Sequence, residues 1–123
     1  MRGHERIYFE HFWNDFAADK KRSLSKADRA AYTAAYARRG RMRAGWAYFV
    51  SFGQAARDFA QLSQTKLSMP ALAIGGDKAD GELLGQQIKI VASDAKVVVL
   101  KNTGHWVLEE NPKGTTDALM SFL

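Results

Sequence analysis

The 123-residue chain contains no cysteine. That excludes disulfide frameworks, thiolate metal sites and cysteine nucleophiles. No run of about 18 apolar residues is present, so no membrane-spanning helix is expected. Met1-Arg2-Gly3-His4 runs into charged and aromatic residues, with no apolar leader segment. A cytoplasmic location is the expectation that follows. Internal repeats and low-complexity tracts are also absent. No nucleic-acid-binding motif accompanies the densest basic cluster, Arg38, Arg39, Arg41 and Arg43. With a net charge of +5, that cluster reads as a solvated turn between two helices, and no nucleic-acid partner is expected.

What is present suffices for a packed core. Hydrophobic residues make up 46% of the chain and charged residues 25%, close to globular averages. Its length is that of one ordinary domain or a piece of a larger one.

Two halves follow different patterns. Residues 1–64 read as helical. Ile7, Tyr8, His11, Phe12 and Phe16 recur at helical spacing and form an aromatic stripe. A polar stretch over 19–22 ends that helix. Ser25 and Asp28 form a capping-box variant, and an alanine-rich helix with Tyr32 and Tyr36 follows. Gly40 fits a cap or turn. A third helix is expected from about Met42 to Leu62, with Gly45 and Gly53 weakening its continuity.

Residues 65–123 read as strand, helix, strand, helix. Ala71–Ile74 and Val97–Leu100 are short runs, apolar on both faces. Parallel strands covered by helices have this pattern. Leu83–Val91 supplies the crossover helix, and Asn111-Pro112 opens a last helix carrying Ala118, Leu119, Phe122 and Leu123 on one face. Two parallel strands have two free edges and little core, so they call for neighbours. The fold class is α/β.

The most informative local feature is Lys101-Asn102-Thr103-Gly104-His105-Trp106-Val107-Leu108-Glu109-Glu110-Asn111-Pro112. It places a histidine on the loop at the carboxyl end of a buried strand, where open α/β sheets bind ligands. Gly104 permits close backbone approach.

Gly-His-Trp-x-x-x-Glu-x-Pro after the last strand resembles the histidine loop of α/β-hydrolases. Met69–Lys78 resembles the strand and acid loop before it. Arg6–Phe16 and Met42–Phe49 resemble lid helices of the epoxide hydrolase-like and haloacid dehalogenase-like branch. The resemblance covers nearly the whole chain. It implies the C-terminal part of an α/β-hydrolase fold, with a helical lid (1–64), two parallel strands and flanking helices (65–123).

The resemblance also implies chemistry. His105 would be the general base that activates water to hydrolyse a covalent ester on a nucleophilic Asp. Imidazole is the side chain best suited to such proton transfer near neutrality. Asp80 and Asp77 are the candidate triad acids. Neither falls three residues after the strand-ending glycine, and some members take their acid from an earlier strand. Tyr48 is the candidate lid tyrosine that hydrogen-bonds the epoxide oxygen. Trp106 is a candidate pocket wall. The substrate would be a small apolar epoxide, ester or haloacid, with no cofactor and no metal.

No segment supplies the full Gly-x-Ser-x-Gly elbow or its Asp equivalent on a strand-to-helix turn. The isolated chain is therefore expected to be inactive. A non-catalytic binding or scaffold protein, completing its sheet as a homo-oligomer, is the alternative expectation.

Overall fold

A computed structural model describes residues 3–21 and 23–123. Met1, Arg2 and Arg22, the last belonging to the polar stretch after the first helix, lie outside them. The element order is α1 (Glu5–Asp15), α2 (Lys26–Ala37), α3 (Arg41–Val50), α4 (Phe52–Leu62), β1 (Ala71–Gly76), α5 (Gly81–Val91), β2 (Ala95–Leu100), α6 (Val107–Glu110) and α7 (Pro112–Met120).

Local chemistry explains most boundaries. The Ser25 hydroxyl accepts the Asp28 N–H at 3.1 Å, and the Asp28 carboxylate accepts the Ser25 N–H at 3.3 Å. This reciprocal cap satisfies two orphan donors of α2. Gly40 adopts the left-handed conformation in the turn between α2 and α3. Pro112 opens α7, where the Asn111 side chain accepts the Gly114 N–H at 3.0 Å.

The expected third helix is divided. Its two parts meet at Ser51, whose hydroxyl donates to the Tyr48 carbonyl at 2.6 Å. Such back-bonding competes with the helical ladder. The last helix ends at Met120, so Phe122 and Leu123 lie beyond it. β1 continues through Gly75 and Gly76, and β2 begins earlier, at Ala95.

β1 and β2 pair in parallel, in register from Ala71 opposite Ala95 to Gly76 opposite Leu100. Helix α5 packs on both strands and α7 packs against β2. Among the described residues no third strand joins them. Ile74, Val97, Val98 and Val99 are consequently only half-buried, although the pattern predicts cover on both faces.

Two small cores result. Trp13 and Leu24 are buried among the helices, and Ala73, Ala92, Leu100 and Ala118 around the sheet. Arg29 is buried beside Trp13. Its guanidinium binds Glu10, Asn14 and the carbonyls of Leu24 and Lys20, and stacks over the indole at 5.6 Å. Those bonds answer the desolvation of the charge. No helix among the described residues is long and apolar enough to cross a membrane.

Candidate active site

The histidine loop leaves the carboxyl end of β2. Asn102 takes the left-handed conformation at φ 53°, a state its short polar side chain tolerates. The chain then turns inward at Thr103, which is completely buried. Its hydroxyl donates to the Lys101 carbonyl at 3.0 Å and accepts from Asn111 Nδ2 at 3.2 Å. A second anchor comes from the turn after β1. Asp77 Oδ1 accepts the Thr103 N–H at 3.3 Å, and the Lys78 N–H donates to the Thr103 carbonyl at 3.0 Å.

Backbone packs directly on backbone here. A Cβ built on Gly76 would lie 2.1 Å from the Thr103 carbonyl oxygen, and one on Gly104 would lie 2.4 Å from the Ala18 nitrogen. The end of β1, the histidine loop and the 16–18 segment are thus stacked in three layers. A glycine is required at each contact.

His105 is exposed on this platform. Its N–H donates to the Phe16 carbonyl at 2.9 Å. Its ring lies 5.8 Å from the Phe16 ring and meets the Trp106 ring edge-on at 4.9 Å. The imidazole opens into a cleft of about 410 Å³, shared with Asp80, Ile74, Gly76, Leu84 and Val107.

The other sequence candidates fall as follows. Asp80 is exposed at the start of α5, caps no backbone N–H and lines the same cleft as His105. Asp77 is mostly covered and holds the Thr103 N–H, with Lys101 Nζ 3.9 Å from its other oxygen. Among the described residues neither acid is hydrogen-bonded to His105. Trp106 lines a second, aromatic cavity of about 340 Å³ with Phe9, Phe12, Tyr32, Phe49 and Glu109. Its Nε1 is buried with no hydrogen-bond partner among the described residues, a state that costs about 1–3 kcal/mol. Tyr48 lines neither cavity and is 66% exposed, with its ring edge-on to Phe52 at 5.1 Å. A run of ring contacts, Tyr48–Phe49–Phe12–Phe16–His105, joins it to the histidine.

Two acids of α6 connect the histidine loop to the helical half. The Tyr32 hydroxyl donates to Glu109 Oε1 at 2.7 Å. This bond, with burial and the carboxylate charge, pushes the Tyr32 pKa up to about 12. Glu110 accepts the N–H groups of Ala18 at 3.0 Å, Gly104 at 2.9 Å and Trp106 at 3.4 Å. Sequence reasoning left both acids without a role. The signal for Glu110 was its place as the acid of the Gly-His-Trp-x-x-x-Glu-x-Pro pattern. No group of three or more His, Asp or Glu among the described residues could hold a metal ion.

No family model matches the sequence, and no curated protein matches it. Solved structures do match the fold. Cfl2 from Burkholderia cenocepacia superposes with a TM-score of 0.85 at 29% identity, covering 98% of this chain and 41% of that one. The epoxide hydrolase CorEH gives 0.87 at 24% identity, covering 95% of this chain and 41% of that one. The Cif epoxide hydrolase from Acinetobacter nosocomialis gives 0.83 at 26% identity, covering 95% and 38%. The chain therefore spans about two fifths of the length of the structures it matches. Its fold is that of the C-terminal portion of an α/β-hydrolase, built as in the epoxide hydrolases it is similar to.

Proposed function

We propose that this chain supplies the lid (1–64), the last part of the sheet (65–123) and the catalytic histidine of an epoxide hydrolase-like enzyme. His105 is the general base. It activates a water molecule that hydrolyses an ester formed on a nucleophilic Asp, and that Asp belongs to a part of the fold outside this chain. The observation that carries this reading is His105 itself, exposed at the carboxyl end of a parallel strand and opening into a cleft.

Asp80 is the better placed of the two acids, because it shares the cleft and its side chain caps no helix N–H. Asp77 already braces the loop through Thr103. Tyr48, at the far end of the aromatic run, is the lid group that reaches the substrate oxygen once the remaining part of the fold covers it. The aromatic cavity beside Trp106 suits a small apolar substrate.

A second reading is a non-catalytic scaffold in which another copy of the chain completes the sheet. The free edges of β1 and β2 favour it.

The test is hydrolysis of a panel of epoxides, esters and haloacids by the chain joined to a nucleophile-bearing α/β-hydrolase half. Epoxide turnover that disappears in His105→Ala supports the proposal. Turnover unaffected by that substitution refutes it. A stable oligomer of the isolated chain, with no turnover in the joined form, supports the scaffold.

A further inference from the structure

We propose that Glu110 is a positioning residue for His105, and that one oxygen of its carboxylate ties the histidine loop to the helical half. Oε2 accepts both the Gly104 N–H at 2.9 Å and the Ala18 N–H at 3.0 Å. Gly104 immediately precedes His105, and Ala18 lies in the connection after α1. A single acceptor therefore holds two chain segments 86 positions apart (104 minus 18) in one register. Oε1 adds a long contact of 3.4 Å to the Trp106 N–H on the other side of the histidine.

The surrounding contacts make this bridge decisive for the ring. The His105 N–H donates to the Phe16 carbonyl of the same connecting segment at 2.9 Å. With Glu110 in place, the N–H groups of 104, 105 and 106 all have partners. Gly104 lets the two backbones touch, since a Cβ there would meet the Ala18 nitrogen and the Phe16 oxygen. Without Glu110, the Gly104 and Ala18 donors lose their acceptor, and the His105–Phe16 bond is left to hold the two segments with less restraint. Carboxylate acceptors are stronger than neutral ones, and a displacement of about 1 Å in a catalytic group costs about 100-fold in rate. Glu110 thus makes the position of the base depend on the position of the helical half. The neighbouring Tyr32–Glu109 bond acts between the same two parts.

Side-chain geometry separates this from a simple charge effect. A glutamine at 110 can place its carbonyl oxygen where Oε2 lies and keep both N–H bonds. An aspartate draws the carboxylate back by about 1.5 Å, the length of one carbon–carbon bond, and carries both bonds beyond hydrogen-bonding range.

The inference rests on the proposed role of His105, but its first test does not. Amide exchange and ring–ring NOEs are measured by NMR on the isotope-labelled 123-residue chain. In Glu110→Ala and Glu110→Asp, the Gly104 and Ala18 amides are expected to exchange at least about 10-fold faster, as an opened bond requires. The Phe16–His105 ring NOE should vanish while the β1 and β2 amides keep their protection. Glu110→Gln should restore both signals. Unchanged exchange at Gly104 and Ala18 in Glu110→Ala, or a Gln variant as loose as the Asp variant, overturns the bridge. If Glu110→Ala fails to fold, the Asp and Gln variants alone decide it. The second test uses the complete hydrolase, where Glu110→Ala should lower kcat about 10- to 100-fold with KM little changed and Glu110→Gln recovering most of the loss. A loosened loop with unchanged kcat contradicts the positioning role. Absence of turnover in the unmutated complete hydrolase refutes the proposed function and leaves the NMR result to judge the bridge.

Discussion

The histidine loop and the α3–α4 pair contrast sharply in how their groups are satisfied. Around the loop, Thr103, Gly104, His105 and Trp106 each donate a backbone N–H to a partner supplied by this chain. Along α3 and α4 the apolar groups are left in the open: Tyr48, Phe49, Val50, Phe52, Phe59 and Leu62 are all exposed. Scattered exposed apolar residues are ordinary, but here they are concentrated on two successive helices. The loop is finished by contacts within the chain. The outer helices and the strand edges are left uncovered among the described residues.

The contrast can be broken most directly with two glycines. Gly76→Ala places a methyl group 2.1 Å from the Thr103 carbonyl oxygen and 2.3 Å from that of Gly104. Neither backbone atom can move freely, so a loss of about 3 kcal/mol is expected. Gly53 in α4 has open space around it, and Gly53→Ala should stabilise the chain by about 0.5 kcal/mol through helix propensity. Urea denaturation of both variants checks the pair. Equal effects would erase the proposed difference between the two regions.

Thr103→Val probes the buried centre of the loop. It keeps the shape and removes the hydroxyl that links Lys101 and Asn111. The Asn111 amide and the Lys101 carbonyl lose their partner, and a destabilisation of about 1–2 kcal/mol is expected in the same denaturation assay.

The smallest effect belongs to the Tyr32–Glu109 link, which lies between the two regions. The bond raises the Tyr32 pKa from 10.0 to about 12. A folded-state value above the unfolded one stabilises the fold fully below pH 10, and that contribution is lost as pH rises toward 12. Tyr32 is 39% exposed, so solvent screens the link and Tyr32→Phe should cost only about 0.5 kcal/mol at neutral pH. Stability measured between pH 9 and about 11.5 should fall in the parent chain more than in Tyr32→Phe, across the window set by the shifted pKa. Parallel pH profiles would show that the link carries no weight.

Local chemistry was legible in the sequence, and long-range chemistry was not. The Ser25–Asp28 cap, Pro112 at the start of α7 and the parallel reading of two apolar runs all follow from neighbouring residues. The division at Ser51 depends on one hydroxyl turning back to Tyr48, a choice that helical periodicity does not record. Asp77 read as a candidate acid because it follows a strand. Its bond to Thr103 spans 26 positions, and no spacing rule reveals it. Glu110 was visible as part of a pattern, while its contact with Ala18 spans 92 positions and exists only once the two halves meet. The placement of His105 was legible because its context is local: a strand before it, a glycine beside it and a helix start after it.

The central claim is that the chain brings the base of a hydrolase without its nucleophile. Epoxide hydrolysis measured on three proteins tests it: the 123-residue chain alone, the chain joined to a nucleophile-bearing half, and the joined form with His105→Ala. The account predicts no turnover by the chain alone and turnover by the joined form. It predicts a loss of about 1,000-fold or more in the variant, which should accumulate the covalent ester as a mass increase on the nucleophile-bearing half. Turnover by the chain alone, or a His105→Ala variant that releases product at the parent rate, would contradict it.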